Sequence, residues 1–144
     1  MTTRSRHTRH AIMTKHILAS LAYILPTFPL GYFWHLKFFQ AHYKTLGVYR
    51  EDMIIPLGLL SMVIQAFIYS YIYSKMFAGL PVFEGALRFG AIAFPLSLSF
   101  MVFATAAKHN MTSPSGYILI ESCFVFVHYL VVSPLIAYVY RTQS

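Results

Sequence analysis

The stretch Tyr117–Tyr140 decides what kind of protein this chain can be. It is apolar over more than the roughly 20 residues that carry a helix across a bilayer, yet it holds an acid, Glu121, and an imidazole, His128. In a membrane an ionisable side chain at that depth has to face protein or a sheltered cavity. The rest of the chain is therefore expected to be what shelters these two. As a helix, the stretch places Glu121 and His128 two turns apart on one stripe, with His128 about 10 Å deeper by the helical rise.

Three further runs share this character. No Lys, Arg, Asp or Glu falls between Lys15 and Lys37, and apolar segments cover about Ile54–Ser74 and Ala86–Ala107. Of the 144 residues, 58% are hydrophobic and 10% charged, far below the quarter or so charged in soluble domains. The pattern predicts an all-α polytopic membrane protein with a single domain over 14–144. Its architecture is a four-transmembrane-helix antiparallel bundle with helices at about 14–39, 54–74, 86–107 and 117–140. A basic disordered leader is expected at 1–13, and Met13 is a second plausible start of translation.

The net charge of +7 does not mark a nucleic-acid binder. Arg4, Arg6, Arg9 and Lys15 crowd into the leader and the other basic residues lie near helix ends, which is a topology signal. With both termini cytoplasmic, the leader charges join Lys75, Arg88 and Arg141 inside, outnumbering Lys37, Lys44, Arg50 and Lys108 outside. A start at Met13 removes that majority. The lone Cys123 excludes an intramolecular disulfide.

Within the helices, Pro26, Pro29, Pro95 and Pro134 each remove a backbone donor, and the freed carbonyls need partners from neighbouring helices or water. Gln65 lies near the middle of the second run, at a depth comparable to His128, and a contact between them is a natural expectation. Proline-freed carbonyls are equally available to His128. The tyrosines at 69, 71 and 73 have the composition of an interfacial belt, as does the cluster Gly31-Tyr32-Phe33-Trp34-His35. The third helix, richest in small residues, is expected at the centre, with Ala93 and Ser97 allowing close approach. Glu84 and Arg88 can pair four apart.

The chemistry-bearing residues form two groups. Gln65, Glu121 and His128 make an intramembrane polar stripe that either relays protons or serves as packing glue. His35, His42 and His109 lie toward the outer face with Glu51, Asp52 and Lys108, as a weak ligand set without metal-site spacing. A Lys108–Glu121 ion pair would account for both charges. A bis-histidine haem is unexpected, because only His128 is at mid-depth. No serine elbow, His-Glu-x-x-His or phosphate loop is present, so no catalytic residue, metal or cofactor is assigned.

The segments Pro29-Leu30-Gly31-Tyr32-Phe33-Trp34-His35 and Ile55-Pro56-Leu57-Gly58-Leu59-Leu60-Ser61-Met62 resemble the front half of small bacterial four-helix inner-membrane proteins of unknown function. The resemblance covers about a third of the chain and implies architecture and a bacterial inner-membrane setting, with no site to carry over. Two readings of function follow. The first is action by association in the lipid bilayer, as an accessory subunit of a larger membrane complex or with copies of itself. The second is a small proton- or solute-conducting carrier or channel using Gln65, His128 and Glu121.

Overall fold

The computed structural model describes residues 3–141, leaving Met1, Thr2 and the last three residues outside the description. The described chain is helical, and no strand occurs in it. α1 spans Thr3–Phe33 and runs on through a π-helical turn, Trp34–Phe38; α2 is Gln40–Leu46 and α3 Ile55–Met76. α4, Val82–Ser97, continues through a second π turn, Leu98–Phe103, into α5, Ala104–Lys108; α6 is Pro114–Tyr140. Four helical stretches are long and apolar enough to cross a membrane: His10–Phe38, Ile55–Met76, Val82–Lys108 and Pro114–Tyr140.

The segment expected as a disordered leader is helical from Thr3 onward, because no Gly or Pro separates it from the first span. The start of α6 is also earlier than expected. Ser113 caps it, accepting a hydrogen bond from the Gly116 amide at 3.1 Å, and Pro114 occupies the first turn, where its missing donor costs nothing. The π turn Leu98–Phe103 follows Pro95, the weak point of the third span, and the carbonyl of Met101 within it accepts the Tyr117 hydroxyl at 3.1 Å. α2 lies between the first two expected spans. It forms because Gly47 takes a left-handed conformation, φ 68°, that closes the helix at Leu46. Thr112 then ties it down, donating its amide to the Leu46 carbonyl at 3.1 Å and its hydroxyl to the Thr45 carbonyl at 2.7 Å.

The helix at the centre is α6, not the third span. α6 packs against α1, α2, α3, α4 and α5, and every third or fourth residue from Tyr117 to Tyr140 is buried. The small residues of α4 serve instead to bring that helix close to α6. Ala93 and Ser97 are both buried, and a Cβ added at Gly90 would sit 3.4 Å from Ser133 Oγ. α1 packs against both α3 and α6. As α1 and the π turn that follows it advance through His16, Thr27 and His35, they meet α6 in reverse at Tyr140, His128 and Glu121, so α1 and α6 are antiparallel. Large apolar side chains such as Leu25, Leu57, Phe83 and Leu119 cover the outside, as hydrocarbon contact requires.

Candidate functional site

The polar groups of the spans converge on α6 in four layers. At the end near α2, Glu121 is 4% exposed. Its Oε2 accepts the Tyr43 hydroxyl at 2.7 Å and lies 3.3 Å from His35 Nε2. His35 Nδ1 is 2.9 Å from the Gly31 carbonyl, which can only accept, so Nδ1 carries a hydrogen. A neutral ring then has a lone pair on Nε2, facing a carboxylate oxygen. One additional proton closes that contact, held either by the imidazole or by the carboxyl. Tyr43 is fully buried, and that burial first, with the Glu121 carboxylate second, pushes its phenol well above the usual tyrosine range. It stays a donor at any ordinary pH.

One layer deeper is His128, also buried. Thr27 donates its hydroxyl to the Tyr23 carbonyl at 2.5 Å, and Thr27 Oγ1 lies 2.8 Å from His128 Nε2. With the threonine hydrogen spent, His128 Nε2 is the donor, and in the neutral ring Nδ1 is the acceptor nitrogen. The Tyr23 hydroxyl donates to Gln65 Oε1 at 2.6 Å, and Gln65 Nε2 donates to Ser61 Oγ at 3.0 Å. Gln65 and His128 therefore do not bond each other. Both line a cavity of about 140 Å³ with Tyr23, Thr27 and Ser61.

The third layer consists of hydroxyls. Tyr129 donates to Tyr69 at 2.7 Å, and Ser97 lies 2.7 Å from Tyr129 and 3.2 Å from Tyr69, joining α3, α4 and α6. The fourth is a triangle of His16 Nδ1, Ser70 Oγ and Tyr140 OH, with sides of 2.9, 2.9 and 3.0 Å. Glu121 to Tyr140 covers about 28 Å of helix, close to the roughly 30 Å hydrocarbon thickness of a bilayer.

Phe124 separates the first two layers. Its ring is 4.4 Å from that of His35 on one side and stacks at 5.9 Å on His128 on the other. Beside it a larger groove, about 590 Å³, lies between α1 and α3 and reaches both His35 and Thr27. Groove and inner cavity share Thr27, Ser61, Met62 and Phe124 as walls, so they meet around the phenylalanine.

Of the sequence-level candidates, the structure gathers Glu121, His128 and Gln65 on the column and adds His35 to it. His42 is exposed with its ring near Tyr43, and His109 is exposed with Nδ1 donating to the Thr105 carbonyl at 3.1 Å. No group of three or more His, Cys, Asp or Glu suited to a metal occurs among the described residues. Lys108 does not pair with Glu121, whose place is filled by His35 and Tyr43. The Glu84–Arg88 pair is present at 2.7 Å. Tyr69 and Tyr73 are buried, leaving only Tyr71 of that trio exposed. Tyr23, Thr27, Tyr43, His16 and Ser70 were missed. A usable signal existed for two of them, since Tyr23, Thr27, Gly31 and His35 recur every four residues, as do Ser61, Gln65, Tyr69 and Tyr73 on α3.

No family model, curated protein or solved structure matches the chain.

Proposed function

We propose that this is a small multi-pass protein of a bacterial inner membrane, with both termini cytoplasmic, that conducts protons along the column on α6. The observation that carries the reading is the buried His35–Glu121 contact, in which two groups that can each carry a proton face one another at 3.3 Å. A group that can hold a proton in either of two places can pass it on. The next acceptor is the His128 layer, reached around Phe124 where groove and cavity meet. That cavity is large enough for several waters at about 30 Å³ each, and Tyr23, Ser61, Gln65 and His128 supply their partners. Ionisable groups aligned inside a bilayer are the usual means of proton relay. The hydroxyl layer and the His16–Ser70–Tyr140 triangle continue the column toward the other face.

The test is proton uptake by liposomes holding the purified protein, an internal pH-sensitive dye and an imposed potassium diffusion potential. Uptake above that of empty liposomes, abolished by His128→Leu in a protein that remains folded, is the expected result. Flux no greater than in empty liposomes, or flux that survives His128→Leu, rejects the reading. Stoichiometric recovery with a larger complex from native membranes, with His128→Leu altering assembly alone, would establish action by association in its place.

A further inference from the structure

The groove between α1 and α3 is lined in large part by the two segments that carry the resemblance seen in the sequence, and the proton column touches only its inner end. Its space exists because Gly31 on α1 and Gly58 on α3 have no side chains there. A Cβ at Gly58 would meet nothing within 4 Å, and one at Gly31 would be 4.0 Å from His35 and Phe124. Between the glycines the walls are apolar, with Phe28, Ile55 and Met62 among them. At the loop end stands Arg50, exposed and without an ion pair among the described residues, where the two salt bridges are His35–Glu121 and Arg88–Glu84.

We propose that this groove binds one long-chain carboxylic acid, its chain between α1 and α3 and its carboxylate on Arg50. The volume of about 590 Å³ lies within the roughly 300–1,000 Å³ of small-molecule sites and holds a single chain rather than the two of a phospholipid. An apolar trough closed at one end by a guanidinium matches an amphiphile in both shape and charge. The planar fork of arginine suits a carboxylate in bidentate geometry. Glu51 and Asp52 follow Arg50 directly, so a singly charged head is favoured over a doubly charged phosphate. His35 contributes its ring as wall, because Nδ1 is committed to the Gly31 carbonyl and Nε2 faces Glu121. Neither Arg50 nor Gly58 belongs to the column, so variants at these two positions test the groove without touching the groups that hold the proton.

The experiment titrates cis-parinaric acid, a fluorescent long-chain polyene acid, into the full-length protein in detergent, with palmitate and its methyl ester as competitors. Saturable binding of one probe per chain is expected, displaced by palmitate at least ten-fold better than by the ester. Arg50→Gln should weaken binding at least ten-fold. Gly58→Phe, which enters open space on a helix, should abolish it with thermal unfolding unchanged, and the smaller Gly58→Leu should weaken it. Unsaturable partition into the micelle, equal displacement by acid and ester, or unchanged binding in Arg50→Gln and Gly58→Leu overturns the proposal.

Discussion

Replacing Glu121 by glutamine or by leucine separates the proton held at that site from the hydrogen bonds that hold the site together. Both contacts fall on one atom, Oε2, at 2.7 Å from the Tyr43 hydroxyl and 3.3 Å from His35 Nε2. A carboxamide nitrogen in that place has two hydrogens, one for the lone pair of His35 Nε2 and one for the Tyr43 oxygen, whose own hydrogen then turns away from residue 121. Glu121→Gln therefore keeps the geometry and should change stability by less than about 1 kcal/mol. It has no exchangeable acid, so proton flux in the liposome assay should fall at least ten-fold. Leucine leaves the buried Tyr43 hydroxyl and the His35 nitrogen without a partner. Each unsatisfied buried group costs about 1–3 kcal/mol, or roughly 2–6 kcal/mol together. Polar contacts within membranes average nearer 0.6 kcal/mol, because the unfolded chain finds partners too, so the lower end of about 2 kcal/mol is expected. At about 2–4 °C per kcal/mol, Glu121→Leu should melt some 4–8 °C below the wild type in detergent, while Glu121→Gln stays close to it. Full flux in Glu121→Gln would show that the shared proton is not the one conducted. Equal destabilisation of the two variants would refute the hydrogen-bond assignment from which both magnitudes were worked.

Gly90 faces Ser133 where α4 and α6 come closest, and Gly90→Leu should cost about 1–3 kcal/mol by forcing these helices apart, measured as a lowered melting temperature; Gly90→Ala, whose Cβ would stand 3.4 Å from Ser133 Oγ, should cost less. Tyr43 bears on alkaline stability. Burial and the Glu121 carboxylate hold its phenol protonated above the pH of about 10 at which an unfolded tyrosine ionises. Above that pH the unfolded chain binds fewer protons than the folded one, so stability falls as pH rises, by up to about 1.4 kcal/mol per pH unit from this residue. Below pH 10 it has no such effect. Tyr43→Phe should accordingly be less stable at neutral pH yet lose less between pH 10 and 11, and equal alkaline slopes in the two proteins would refute the assignment.

Much of the architecture is written along the chain. Hydropathy at membrane length needs no partner to be recognised, so the four spans and the Glu84–Arg88 pair are legible from local spacing. Glu121 and His128 stand out for the same reason, as ionisable groups in a setting that tolerates few. The polar stripes of α1 and α3 are legible in principle, since their groups recur every fourth residue.

What the chain does not declare is which faces meet. A span that is apolar all round can rest any face against lipid, so its rotation is set by the fit of neighbouring helices and not by a polar side seeking water. This is why richness in small residues pointed to the third span as central, while the structure gives that place to α6, whose larger side chains fill the space among all its neighbours. The partners of Glu121 depended on two features that spacing does not reveal: the π turn at Trp34–Phe38 that sets the end of the first span, and the left-handed Gly47 that ends α2 where Thr112 can hold it and Tyr43 can reach the carboxylate. The sequence alone determined that ionisable groups would be buried in the membrane. The tertiary structure decided which of those groups meet, because hydrogen bonds form only between atoms that packing brings within about 3 Å.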